Sequence, residues 1–438
     1  MLPRRSFLKL GAGATAAAFL ARPTLRAAEE AKPSVPLAAF TVVGDTHYFA
    51  DKDDPSRLQP MSRAYNTGLI DTLNALPGRE IAAGAGATAA AFLARPALRA
   101  AEESKPSVPL AAFAVVGDTH YFADKDDPSR LQPMSRAYNT GLIDTLNALP
   151  GREIAPAAGG GKVAPLAALL HVGDLIDSGD KNGAVIQQMQ RTEWAEWQKD
   201  YGLDGQGGRL KFPVYEIHGN HDGPHGKGHV LDGIIERNKA RRDLKGVSAN
   251  GLHYSWAAGP VHFVHLGITV GQVKAVKRKR RYDPVDSLDF LVADLAKNVG
   301  DSGRPVVIAH HVDFARYCGE VPDEVVLKHE WDYADVAAFH AALKPYRIAG
   351  IFYGHTHVRG VFGWTGPKPA PVIAGKPLPA GIPTFNTDNA AHFSGPAQAF
   401  LYAEVHERDI LVRELATTDG WKTSQWTPLA WRMPHASG

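Results

Sequence analysis

The 438-residue sequence holds one cysteine, Cys318. That excludes an internal disulfide and a thiolate zinc cluster. No run reaches the roughly 18 apolar residues needed to span a bilayer. An excess of charge of one sign is also missing: Lys plus Arg is 48 and Asp plus Glu is 46, for a formal charge of +2. Such balance argues against a chain built chiefly to hold nucleic acid or an anionic membrane. What is present is globular in composition, 44% hydrophobic and 21% charged, with enough apolar material for a sizeable core. The length is too great for one ordinary domain and small for three. Histidine is the exception at 19 residues, and its positions are the informative ones.

The N-terminus reads Arg4-Arg5-Ser6-Phe7-Leu8-Lys9, then a weakly apolar run from Leu10 to Ala21, then Arg26-Ala27-Ala28. A charged start, a short apolar middle and small residues at a cleavage point make a targeting segment. Residues 1–28 resemble a twin-arginine export signal. The resemblance implies the twin-arginine export machinery as a partner and a periplasmic or secreted protein, exported folded. The lack of paired cysteines suits folding in a reducing compartment.

The chain contains a near-exact tandem duplication. Gly11–Ala82 matches Gly84–Ala155, differing only at Thr24 against Ala97, Ala31 against Ser104 and Thr41 against Ala114. Two copies do not make a solenoid. Each copy carries one predicted strand (Leu37–Val43 or Leu110–Val116), a Gly-Asp-Thr-His turn and a predicted helix (Ser62–Leu76 or Ser135–Leu149). Only one copy fits the single place the fold offers. Using the first lengthens the link to the next strand by a whole repeat, which loop-closure entropy disfavours by about 1–2 kcal/mol. Thr41 also puts a hydroxyl where Ala114 is apolar. The second copy is therefore expected in the fold, with residues 29–107 a loosely packed spare.

Beyond the repeat, short β-type runs alternate with helical stretches. Strands are expected at Leu166–Val172, Phe212–Ile217, His253–Trp256, Val261–Leu266, Pro305–Ala309, Ile348–Tyr353, Gly360–Trp364, Thr384–Asn386, Ala399–Val405 and Ile410–Glu414. Helices are expected near Val185–Tyr201, Leu231–Asp243, Val285–Lys297 and Tyr333–Leu343. Gly366–Pro383 reads as a surface loop. The alternation argues an α/β fold with a mixed sheet and a β-rich second half. Residues 108–415 read as the main domain and 416–438 as a C-terminal tail.

Metal-ligand residues follow nearly every strand. In order they are Gly117-Asp118-Thr119-His120, Gly173-Asp174-Leu175-Ile176-Asp177, Gly219-Asn220-His221-Asp222, His310-His311 and Gly354-His355-Thr356-His357. Each alone has a bland reading, since Gly-Asp is a common turn and a His pair is often a surface feature. Together they fall where ligands bind in α/β sheets, at the carboxyl ends of strands. The preceding glycines let the backbone turn sharply.

This order, over about Val108–Glu414, resembles the calcineurin-like metallophosphoesterase superfamily. The resemblance implies two mixed β-sheets packed face to face with flanking helices, a four-layer metallophosphoesterase sandwich. It implies two divalent or mixed-valence transition metal ions, Zn, Mn, Fe or Co. One would be held by Asp118, His120, Asp174 and His357, the other by Asp174, Asn220, His310 and His355, with Asp174 bridging. His310 rather than His311 is implied because the first histidine after this strand usually ligates in the family. A metal-bridging hydroxide would attack phosphorus in line. His221 would stabilise the phosphoryl group or protonate the leaving oxygen, Asp222 would orient it, and Asp177 would support a ligand. The implied activity is hydrolysis of phosphomonoesters or phosphodiesters, with a phosphate-ester substrate as partner.

Weaker signals surround this set. Tyr121, His225 and His229 lie close enough in sequence to be candidates for substrate contact. His171 alternates into the core. Trp421, Trp426 and Trp431 fit packing of the tail. The basic run Lys274–Arg281 reads first as a solvated loop. Its functional reading is the less favoured alternative, a nuclease or a phospholipid or polymer phosphodiesterase. A non-catalytic metal-binding envelope protein is the remaining alternative.

Overall fold

The computed structural model describes residues 108–272, 280–319, 330–366 and 380–436. The chain divides into two units, Met1–Pro106 and Ser107–Gly438. The export signal and the first repeat copy lie outside the described residues, as do Val273–Lys279 of the basic segment.

The second repeat copy opens the fold with β1 (Ala111–Val116) and α1 (Pro133–Asn147). Next come β2 (Ala168–His171), α2 (Ala184–Tyr201), β3 (Val214–Glu216) and α3 (His229–Ala240). β4 (Gly246–Val247), β5 (Tyr254–Ala258), β6 (Val261–His265), α4 (Ser287–Asn298), β7 (Val306–Ala309) and the short α5 (Phe314–Tyr317) follow. The chain ends with β8 (Cys318–Gly319), β9 (Trp331–Asp332), α6 (Tyr333–Leu343), β10 (Ile348–Tyr353), β11 (Gly360–Trp364), β12 (Ile382–Asn386), β13 (Gln398–Val405), β14 (Asp409–Thr417) and β15 (Gln425–Pro434). The expected elements are all present in this region, with ends shifted by up to a few residues, as caps and frayed turns permit.

One sheet has the order β15-β14-β13-β1-β2-β3 and the other β11-β12-β10-β7-β6-β5-β4. Both are mixed. β1, β2 and β3 run parallel and β13 joins β1 antiparallel. β6, β7, β10 and β12 run parallel, with β5 and β11 antiparallel at the flanks. The residues read as a tail form β15, which pairs with β14 as an edge strand. The β14–β15 pairing shifts register between Arg413 and Leu415, and Trp426 and Trp431, five residues apart, pack on opposite faces of this sheet.

Strand alternation sorts the side chains into layers. In β1, Ala111, Phe113 and Val115 face the second sheet, while Ala112, Ala114 and Val116 face α1, α2 and α3. Phe113 meets Phe263 and Phe352 edge-on at 5.3 and 5.5 Å between ring centres. A third cluster packs α4 and α6 on the outer face of the second sheet, through Leu291, Leu295, Val336 and Phe339 against Val306, Ile308 and Ile351. The result is four layers, helix–sheet–sheet–helix, with the parallel neighbours β1 and β2 in one sheet and β7 and β10 in the other. Their carboxyl ends lie side by side.

Candidate metal centre

The turns after β1, β2, β3, β7 and β10 converge. The Asp118 amide donates to Gly173 O at 3.0 Å, and the Thr119 and His120 amides donate to Asp174 O at 3.0 and 3.1 Å. The His355 amide donates to Asp118 Oδ2 at 3.0 Å and the His221 amide to Asp174 Oδ1 at 2.8 Å. The turns are thus tied to one another, by backbone carbonyls after β1 and by a neighbour's carboxylate at His221 and His355. Glycine is required where they touch. A Cβ on Gly219 would stand 2.2 Å from Asp174 Oδ1, and one on Gly173, at φ +96°, would stand 2.5 Å from His311 Nδ1.

Backbone strain is concentrated here. Among the described residues, eight non-glycines have positive φ, and Asp118, His120, Asp174, His355 and His357 are among them. Such conformations cost of order 1 kcal/mol or more each and persist where surroundings over-determine them.

Asp118, His120, Asp174 and His311 are buried, while His221, His355 and His357 are partly exposed. Ligand-type atoms of Asp118, His120 and His357 lie within 4.8 Å of one another, as do those of Asp174, His311 and His355. Asp174 Oδ2 is 3.6 Å from His120 Nε2 and 3.2 Å from His311 Nε2. Asn220 Oδ1 also faces His311 Nε2, at 3.1 Å. On the far side of the rings, His120 Nδ1 meets Asp177 Oδ1 at 3.2 Å, His311 Nδ1 meets Val172 O at 2.8 Å, and His355 Nε2 meets Glu330 Oε2 at 2.8 Å. Imidazoles anchored at one nitrogen and aimed at carboxylates with the other form a metal-ready donor set. His120 Nε2, buried without a hydrogen-bond partner, fits the role of a cation ligand.

The charges agree. Burial opposes ionisation of Asp174, but the surrounding His311, His221 and His120 hold its carboxyl well below the usual range. Burial pushes His311 down, and Asp174 and Asp118 carry it up to about 9. His221 is likewise pushed down by burial and carried up to about 10 by Asp174 and Asp180. The carboxylates thus favour positive charge at this site.

Three sequence expectations are corrected. His310 does not reach the cluster. It is buried against Phe314, Trp331, Phe339 and Tyr353, because alternation along β7 turns residue 310 to the outer face and residue 311 inward. Asp222 does not touch the His221 ring. Its carboxylate accepts the amides of Leu175, Ile176 and Gly219 at 2.7–3.1 Å, while His221 Nδ1 faces Asp177 O at 3.1 Å and Asp180 Oδ1 at 3.5 Å. Tyr121 is a core residue donating to Asp200 Oδ2 at 2.7 Å. His225 is exposed ahead of α3 and His229 is exposed at its start.

Other assignments are structural. His171 packs on Trp197 and Tyr201, Trp421 and Trp426 donate to Ala390 O and Glu153 O, and Arg280 and Arg281 of the basic run sit in ion pairs with Asp332, Asp335 and Glu330. Sequence reading missed Asp180, Glu330 and His392. Glu330 and His392 belong to no Gly-linked turn, whereas Asp180 follows Gly179 in the turn just beyond Asp177. No helix of the described residues is long and apolar enough to cross a membrane.

Residues 111–359, more than half of the chain, match the family model described as calcineurin-like phosphoesterase. A search of curated proteins returns no match. Among solved structures, the chain is similar to a dimetal phosphatase from Danio rerio at 12% identity and TM-score 0.41, covering 75% of this chain and 99% of that one. It is similar to purple acid phosphatase PPD1 of yellow lupin (Lupinus luteus) at 12% identity and TM-score 0.42, covering 74% of this chain and about half, 53%, of that one. It is also similar to zinc-complexed Vps29 of Entamoeba histolytica at 12% identity and TM-score 0.25, covering 74% and 98%. With strand-end turns meeting in one strained, histidine-rich cluster and the sequence match spanning all five of those turns, the chain belongs to the calcineurin-like phosphoesterase family, the metal-dependent hydrolases of phosphoric ester bonds.

Proposed function

We propose that the protein is an exported two-metal phosphoesterase acting on phosphomonoesters or phosphodiesters. One cation would take Asp118, His120, Asp174 and His357, and the other Asp174, Asn220, His311 and His355. The observation that carries this reading is the place of Asp174, whose Oδ2 faces both His120 Nε2 and His311 Nε2. Two dications about 3.5–4 Å apart repel, and a shared carboxylate offsets that repulsion. Carboxylate, imidazole and amide oxygen together suit Zn, Mn, Fe or Co, not Ca²⁺ or Cu(I). When bound, such a pair supplies Lewis-acid polarisation of the phosphoryl oxygens and of the attacking water.

The remaining work falls to the chain. His221 is half-buried and held at Nδ1 by Asp177 O and Asp180. Its Nε2 is then the nitrogen that donates to a phosphoryl oxygen or hands a proton to the leaving oxygen. Asp177 fixes the His120 ring. Asp222 fixes the turns that carry Asp174 and Asn220. Residues 1–28 support export of the folded protein to the periplasm or beyond.

Elemental analysis and a panel of phosphomonoesters and phosphodiesters test the reading. Two metal equivalents per chain and chelator-sensitive phosphate release are expected. Fully metallated protein that cleaves no ester overturns it. His221→Ala should keep both metals and lower kcat about 10²–10⁴-fold; a wild-type kcat removes its assigned role.

A further inference from the structure

We propose that His392 donates a hydrogen bond from Nε2 to a phosphoryl oxygen of the substrate, as a second anion contact beside His221. The proposal rests on the two-metal reading above. His392 lies on the loop between β12 and β13, outside every Gly-linked turn. Its ring centre is 4.6 Å from that of His120, nearly perpendicular to it, and 4.6 Å from that of His357. His120 also meets His221, at 4.9 Å. His221 and His392 thus both flank His120, and both are partly exposed where Asp118, His120 and Asp174 are buried.

A nitrogen of His392 comes within 4.8 Å of ligand atoms of His120 and Asp177, so a third ligand role has to be weighed. The ring's hydrogen bonds argue against it. Nδ1 accepts the Ser394 amide at 3.1 Å and pairs with Ser394 Oγ at 2.7 Å. A backbone amide only donates, so Nδ1 carries no proton and the neutral ring bears its hydrogen on Nε2. Nδ1 is committed as an acceptor and Nε2–H is a donor. A donor suits an anionic oxygen and repels a cation. Phosphoryl transfer spreads charge over three oxygens, which fixed donors stabilise most when they are already in place.

The loop is built to hold that ring. The Ala390 amide donates to Gly117 O at 2.9 Å, the Trp421 indole donates to Ala390 O at 2.6 Å, and the Gln398 amide donates to His392 O and Gly395 O at 3.2 and 3.0 Å. Phe393 stacks on Phe122 at 4.6 Å. Support of this kind fixes a side chain to the geometry a transferring group requires.

The test is calorimetric titration of metal-loaded, full-length protein with inorganic phosphate, alongside metal content and steady-state kinetics. His392→Ala should keep two metals per chain, weaken phosphate binding about tenfold, and raise KM more than it lowers kcat. His392→Gln, which keeps an N–H donor, should recover most of the affinity. An unchanged phosphate Kd in His392→Ala overturns the proposal. So does loss of metal, which would make His392 a ligand, and so does a His392→Gln variant no better than His392→Ala. Wild-type protein that takes up no metal would strike the two-metal reading first, and this proposal with it.

Discussion

His310 and His311 are chain neighbours with opposite surroundings. His311 faces Asp174 and Asn220, while neither ring nitrogen of His310 meets a hydrogen-bond partner in its aromatic pocket. A buried polar atom without a partner costs about 1–3 kcal/mol, so His310→Leu should leave two metals per chain, near wild-type kcat and an equal or higher Tm. His311→Leu should lose one metal equivalent and most activity. Metal analysis and a thermal melt of the two variants decide the assignment, and the reverse pattern would restore His310 as ligand. Asp174 is the stricter residue: Asp174→Ala should abolish binding of both metals, read by elemental analysis.

The turns and their supports act at the scale of the element. Gly219 sits where a Cβ would strike the Asp174 carboxylate. Gly219→Ala should therefore lower metal content although it changes no ligand; unchanged metal affinity would show that the turn gives way. Farther from the centre, Glu216 on β3 is buried between Arg237 at 2.8 Å and Arg241 at 2.5 Å, tying α3 and the residue that follows it to the sheet. Burial opposes the charge, but the two guanidinium groups hold the Glu216 carboxyl down at about 2. Glu216→Gln leaves two buried arginines short of a counter-charge and should cost about 3–5 kcal/mol in a denaturant melt. Because the folded value lies below the unfolded one, this contribution is present above about pH 4.5 and is lost as pH falls towards 2.

For the whole molecule, buried histidines set the acid limit. Burial depresses His171 and His265 to about 3 and His253 to about 4, all below the ordinary value of 6.5. All three are neutral in both states above pH 6.5, where their contribution is complete. Below it the unfolded chain takes up protons that the folded chain refuses, at up to about 1.4 kcal/mol per histidine per pH unit. The Tm of metal-loaded protein should fall steadily from pH 6.5 to pH 5; a flat profile would show these rings protonating in place. The duplication is also a whole-molecule matter. Asp118 lies on the copy whose β1 pairs with β2 and β13, so Asp118→Asn should remove most activity and Asp45→Asn should not. The opposite result, in the same phosphatase assay, would put the first copy in the fold.

The order of strands and helices, the α/β class and the turns bearing Asp118, Asp174, Asn220, His355 and His357 were legible in the sequence, because alternation, glycine punctuation and ligand types are local properties; the two-sheet arrangement was implied only by the family resemblance those turns carry. So was His171 in the core, by the same period-two rule that, carried past Ala309, would also have turned His311 inward. The partners Asp180 and Glu330, the site-facing His392 and the edge strand β15 were decided only in three dimensions. Each depends on which distant loops the paired sheets bring to one place, and contact between elements far apart in sequence leaves no periodicity to read.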